Sequence, residues 1–219
     1  MKNSLPLTTS VLAMFATLLA TSPTLSAALQ WDAGVGLSEP WRVLTSHLTH
    51  WSWNHLSWDL LAFVVLGGMC ERVARRRYQW TLLLSAVAIP LVVTALHPDI
   101  TTYRGLSGVD SALFALLACE FARAGIKERN RLLTVVAIAG WVLFVGKICF
   151  ELLTGGLVFV SDTSFVPVPM SHIAGAVVGT LAAITPPFRG DAFRKFRAND
   201  NAELRTPVPV ASALESDSA

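Results

Sequence analysis

The stretch YRGLSGVD, residues 103–110, sets Ser107 between Gly105 and Gly108 at the start of a long apolar run. A serine hydroxyl is a weak nucleophile until a base within about 2.6–3.2 Å takes its proton. The first amides of a helix lack intrahelical partners, which leaves the Ser107 N–H free for a developing oxyanion. Gly105 and Gly108 allow unusual dihedrals and close approach of a substrate backbone. Few other polar residues with chemical capacity fall in or beside the apolar runs. They are His47, His50, His55 and Asp59 in HLTHWSWNHLSWD, Asp110 three residues after Ser107, Lys147 and Glu151 four residues apart, and His172 in SHIAGAVVG.

These side chains must be positioned inside lipid. The 219-residue chain is 53% hydrophobic and 15% charged, where a soluble domain would carry about 25% charged residues. Apolar runs of bilayer-spanning length recur, at about 5–28, 54–71, 79–96, 106–122, 132–153 and 170–188. The expectation is an all-α, polytopic membrane protein with six transmembrane helices. Arg72, Arg75, Arg76 and Arg77 fall between the second and third spans. Arg123, Lys127, Arg129 and Arg131 fall between the fourth and fifth, Lys2 precedes the first, and Arg189, Arg194, Lys195 and Arg197 follow the sixth. Basic residues collect on the cytoplasmic side, so both termini are expected inside, with the chain in a bacterial inner membrane. Residues 1–29 also have the form of a cleaved signal peptide, with a basic start, an apolar centre and a small-residue end. Residues 30–54 read as an external loop, 55–188 as a five-helix core, and 189–219 as a disordered cytoplasmic tail. Cys70, Cys119 and Cys149 read as small apolar residues, and no C-x-x-C occurs.

Five of the seven tryptophans, Trp31, Trp41, Trp51, Trp53 and Trp58, cluster in or beside the external loop, as expected of a segment lying in the headgroup layer. Arg42 in the same loop is a candidate for headgroups or for a carbonyl cap. Spans two, four and six all run from outside to inside. His55, Asp59, Ser107 and His172 each open one of them, so all four lie at one depth just below the outer surface. Polar groups at such depth are costly and default to functional candidates. Ser111, Ala115, Ala118 and Ala122 descend from Ser107 at helical spacing, and Gly175, Gly179 and Ala183 descend from His172. Small-residue stripes let membrane helices approach closely, which would bring Ser107 to His172. His55 could add a donor for an oxyanion. Lys147 and Glu151 read as a local ion pair or as snorkelling side chains.

At these residues the chain resembles the rhomboid family of intramembrane serine proteases. The likeness covers about residues 41–180. It rests on WR (Trp41, Arg42), His50, His55, the Gly67–Gly68 pair with Glu71 and Arg72, GLSG around Ser107, and the H-x-x-G-x-x-x-G of HIAGAVVG. The resemblance implies a six-helix core, a Ser107–His172 dyad, an oxyanion hole of His55 and the Ser107 amide, and no metal or other cofactor. YRGLSG and VPVPMSH look like the rhombosortases, which implies processing of C-terminal tails bearing a Gly-Gly motif. Two positions depart from the family's pattern. Asp59 stands where many members carry an oxyanion-donating Asn, so it is either protonated, as burial favours, or otherwise engaged. Ser111 stands where many carry a Tyr that packs on the histidine, so His172 must be held some other way. Asp110 is one candidate for orienting an imidazole, and His50 is a further accessory candidate.

The expected activity is serine endopeptidase cleavage in or next to transmembrane segments of membrane-anchored proteins. The partners are those substrates and the lipid bilayer, with no nucleic acid. A helical peptide bond is shielded by its own turn, so Gly or Ala near the cleaved bond should be preferred. Residues 154–169 are a candidate cap over the site. Two other readings remain. One is an inactive relative that binds or escorts membrane helices. The other is a metal site built from His47, His50, His55 and Asp59.

Overall fold

The computed structural model describes residues 5–156, 158 and 168–185. Lys2, most of the candidate cap at 154–169, and the tail with Arg189, Arg194, Lys195 and Arg197 lie outside the described residues. The described chain is helical: α1 Leu7–Ala20, α2 Pro23–Leu29, α3 Arg42–Thr45, α4 Trp53–Val73, α5 Arg75–Leu96, α6 Ser107–Glu128, α7 Arg131–Thr154 and α8 Pro169–Ile184. Five of the six expected apolar runs fall on the helices α4 to α8. The first does not form one rod, because α1 and α2 meet at a bend of 118°. Pro23 opens α2 and Ser22 caps it, and a residue before proline is pushed out of helical geometry.

By length and composition α5 and α7 can each cross a bilayer alone, and the bent α1–α2 pair would make a third span. α7 is sheathed in exposed apolar side chains, among them Leu132, Leu143 and Leu153. α4 and α6 carry more polar residues, and these are largely turned inward: His55, Asp59 and Glu71 of α4 and Asp110 and Ser111 of α6 are all buried. Caps match the sequence at several ends. Ser52 receives the His55 amide, Asn130 receives that of Leu133, and Gly155 ends α7 at φ +66°. Arg42 does cap carbonyls, donating from Nη1 to Gln30 O at 3.1 Å and Ala27 O at 3.3 Å just past and within α2.

The loop between α2 and α4 departs from an all-α expectation. Two-residue strands β1 (Trp31–Asp32) and β2 (Thr102–Tyr103) pair antiparallel, Trp31 opposite Tyr103 and Asp32 opposite Thr102. Two residues carry no readable alternation, so this pairing has no sequence signature. Trp31 is not an interfacial anchor. It is buried, and its indole N–H donates to Thr94 Oγ1 at 2.8 Å. Trp41, Trp53 and Trp58 are exposed as the headgroup reading requires.

α6 is the central helix and packs on α4, α5, α7 and α8, most extensively on α8. A Cβ added at Gly175 would collide with the carbonyl oxygen of Gly108, and one at Gly179 with that of Ala112. The α8 stripe therefore does what its spacing implied. Its counterpart on α6 is Gly108 and Ala112, one position along from the Ser107–Ser111 row. That shift turns Ser107 and Ser111 away from the contact and toward a cavity. A Gly179→Val chain is expected to lose thermal stability in detergent, by about 1–3 kcal/mol or more, because overpacking here can only be relieved by separating two backbones. A melting curve against wild type measures it.

Candidate functional site

Ser107 is the first residue of α6, and Asp59 of α4 fixes that end. Asp59 Oδ2 accepts the backbone N–H of Leu106 at 3.0 Å and of Ser107 at 3.1 Å. A carboxylate there satisfies two orphan amides and faces the positive end of the helix dipole. His50 Nε2 lies 3.1 Å and His55 Nε2 3.3 Å from the same oxygen. Asp59 is engaged: its Oδ2 is the atom on which the N-terminus of α6 and two imidazoles converge. The Ser107 amide and His55, the two expected oxyanion donors, are both turned to this carboxylate.

Gly105 makes that convergence possible. It has φ +118°, a conformation open to glycine, and a Cβ there would lie 3.0 Å from His55 Cε1 and 3.3 Å from Asp59 Oδ2. Its carbonyl accepts from Tyr103 Oη at 3.3 Å and lies 3.2 Å from His47 Nδ1. His47 Nε2 lies 3.0 Å from the carbonyl of Ala86. That carbonyl is four residues before Pro90 in α5, and proline has no N–H to complete the helical bond. With its proton on Nε2, His47 supplies the missing donor. Both of its ring nitrogens thus face carbonyl oxygens, so it does not join His50, His55 and Asp59 as a metal-ligand set would need.

His172 lies in the first turn of α8 and is buried. Its Nδ1 is 2.9 Å from Glu151 Oε2 and 3.3 Å from Lys147 Nζ, both on α7. Lys147 and Glu151 do form the ion pair their spacing suggested, at 2.6 Å, but Glu151 also reaches across to the imidazole. Sequence reasoning did not join Glu151 to His172. The available signal was a carboxylate near the end of an apolar span on the His172 side. Asp110 is buried, and neither of its carboxylate oxygens has a hydrogen bond among the described residues. Ser111 Oγ donates to the Ser107 carbonyl at 2.9 Å.

Ser107, His172, His55, Asp59, Asp110 and Ser111 line one cavity of about 750 Å³ that extends between α4 and α7. Gly108 lies against the carbonyl of Ser171, where an added Cβ would be 3.0 Å away. The first turns of α6 and α8 are thus in direct contact. The Ser107 hydroxyl and His172 face this cavity without a hydrogen bond between them among the described residues. Such bonds are often long in unliganded sites and tighten on substrate. His50 stands behind Asp59, at 5.1 Å between ring centroids from His55.

The family model for the Rhomboid domain matches residues 37–186. That interval contains every candidate side chain of the site. No curated protein matches the chain.

Burial lowers the affinity of His47 and His50 for protons, against smaller opposing effects of their acceptors. For a histidine with a depressed folded value, the stability contribution is complete above the ordinary value of about 6.5 and is lost as the pH falls below it. Thermal stability is therefore expected to drop between pH 7.5 and pH 5. His47→Gln, which keeps a donor for Ala86 and cannot titrate, should flatten that drop in melting curves across the range.

Proposed function

Because the chain belongs to the rhomboid family, whose members are generally intramembrane serine proteases acting on membrane proteins, we propose that it is an active serine endopeptidase of that kind. Ser107 is the nucleophile and His172 the general base. Ser107 Oγ attacks the scissile carbonyl as its proton passes to His172, which then delivers the proton to the departing amine. The Ser107 amide and His55 stabilise the oxyanion, in competition with Asp59, which holds them in the resting site. Gly105 and Gly108 admit the substrate backbone, and Asp110 and His50 are accessory. No cofactor takes part.

The observation that carries this reading is the contact of Gly108 with Ser171 and of Gly175 with Gly108, directly beside Ser107 and His172. It sets a hydroxyl and an imidazole from two distant segments in the lining of one cavity. The cavity extends between α4 and α7, which supports entry of a membrane-anchored substrate from the side. Further parts of the proposal are six transmembrane helices with the first retained, both termini in the cytoplasm, and a bacterial inner-membrane location. Packing of α1 supports retention: Thr8 and Thr9 amides donate to Glu71 of α4 at 3.0 and 2.9 Å. The substrates are C-terminal sorting tails of the Gly-Gly type, as the rhombosortase-like segments imply.

The test is cleavage of a membrane-anchored reporter with a Gly-Gly segment before its transmembrane helix, together with labelling by a fluorophosphonate. Ser107→Ala should abolish both, and His172→Ala should lower the rate by about 10²–10⁴-fold or more. Unaltered cleavage by Ser107→Ala would sink the proposal. A wild-type protein that neither cleaves nor labels would point to a helix-binding relative without activity.

A further inference from the structure

Glu151 is 2% exposed, and its two carboxylate oxygens are divided between two partners. Oε1 lies 2.6 Å from Lys147 Nζ, and Oε2 lies 2.9 Å from His172 Nδ1. Lys147 Nζ is itself 3.3 Å from the same Nδ1. A neutral imidazole can satisfy only one of these neighbours. If Nδ1 carries the proton it donates to Glu151, and Nε2 keeps its lone pair. If Nδ1 accepts from the ammonium, the ring proton sits on Nε2, and the ring cannot take a proton from a serine. The carboxylate is the nearer partner of the ring, and Lys147 Nζ itself lies closer to Glu151 Oε1 than to Nδ1.

We infer that Glu151 is the positioning residue that holds His172 as its Nδ1–H tautomer, completing a Ser107–His172–Glu151 relay whose acid comes from α7. Lys147 clamps Glu151 in place, and without the carboxylate it would impose the opposite tautomer. The inference rests on the roles proposed above for Ser107 and His172 and deepens them. It also answers how His172 is held in a chain that has Ser111 in place of an aromatic ring. During attack, the Ser107 proton moves to Nε2 while Nδ1–H stays on Glu151. The new bond joins Oγ to the carbonyl carbon and the carbonyl π pair moves onto oxygen. As that pair re-forms C=O, the C–N bond breaks and the amine leaves with the Nε2 proton. A water, giving its proton to Nε2, then attacks the acyl carbon and releases the carboxylic acid as Ser107 Oγ regains the proton. Glu151 stays ionised throughout and stabilises the imidazolium.

The test uses the full-length chain in detergent micelles. Selective ¹⁵N-histidine labelling, with His172 assigned by the signal lost in His172→Gln, should show Nδ1 protonated and Nε2 bare at neutral pH. In Glu151→Ala the pattern should reverse. A wild-type His172 carrying its proton on Nε2 would overturn the inference, whatever the variants do. In cleavage kinetics Glu151→Ala should lower kcat about 10³-fold with KM little changed. Adding Lys147→Met to it should restore at least about tenfold, because the competing donor is gone. A double variant no faster than Glu151→Ala would overturn it, since a merely structural ion pair predicts no recovery. Glu151→Gln keeps the side-chain shape and stays informative if Glu151→Ala does not fold. Its kcat should fall about tenfold or more at constant KM, and an unchanged kcat would count against the relay. If Ser107→Ala still cleaves, the proposed function fails while the tautomer stands on its own spectrum. If Ser107→Ala is inactive and Glu151→Ala cleaves at the wild-type rate, only the relay fails.

Discussion

The contact of two backbones, Gly175 and Gly179 of α8 on the carbonyl oxygens of Gly108 and Ala112 of α6, is the constraint on which the rest of this molecule depends. In lipid, burying apolar side chains does not drive helices together, so close packing must do so. Glycines at four-residue spacing supply the closest packing available. The same contact fixes the height and rotation of both helices, because a carbonyl seated over a glycine tolerates neither a slip nor a turn. Ser107 and His172 inherit their positions from it, one residue before Gly108 and three before Gly175. The shared cavity is the space left when the small faces of α6 and α8 are in contact and the polar face of α6 is turned toward α4 and α7.

Buried carboxylates then tie α4 and α7 to this pair, and α1 to α4. An ionised side chain in a membrane interior is costly unless it is paired or hydrogen-bonded. Glu71 of α4 accepts the first amides of α1, Asp59 of α4 accepts those at the start of α6, and Glu151 of α7 joins Lys147 to His172 of α8. Each carboxylate bridges two helices, and two of them satisfy helix N-termini that apolar surroundings would leave unpaired. Asp59 therefore has two consequences. It holds α6 at a fixed start, and it occupies the amides of Leu106 and Ser107 that would otherwise face the cavity.

Before α6, the chain is positioned by a defect repaired from outside its helix. Pro90 leaves the Ala86 carbonyl without its helical donor, and His47 lies against it, one ring nitrogen toward Ala86 O and the other toward Gly105 O. The β1–β2 ribbon binds Trp31 and Asp32 to the two residues just before that turn. The segment between α2 and α4 is thus tied to the residues that lead into the cavity.

The amino-acid sequence by itself determined the membrane class, the order and near-boundaries of α4 to α8, and the close-packing role of Gly175 and Gly179. Those properties follow from run length, charge placement and helical period, which are local. The sequence did not determine the partner of Asp59, the reach of Glu151 to His172, the ribbon at Trp31, the break at Ser22 or the choice of Gly108 and Ala112 over Ser107 and Ser111 as the contact row. Each depends on the rotation of one helix against another, and a shift of one residue turns a helical face by about 100°. Period tells which residues share a face; only the packed backbones decide what that face meets.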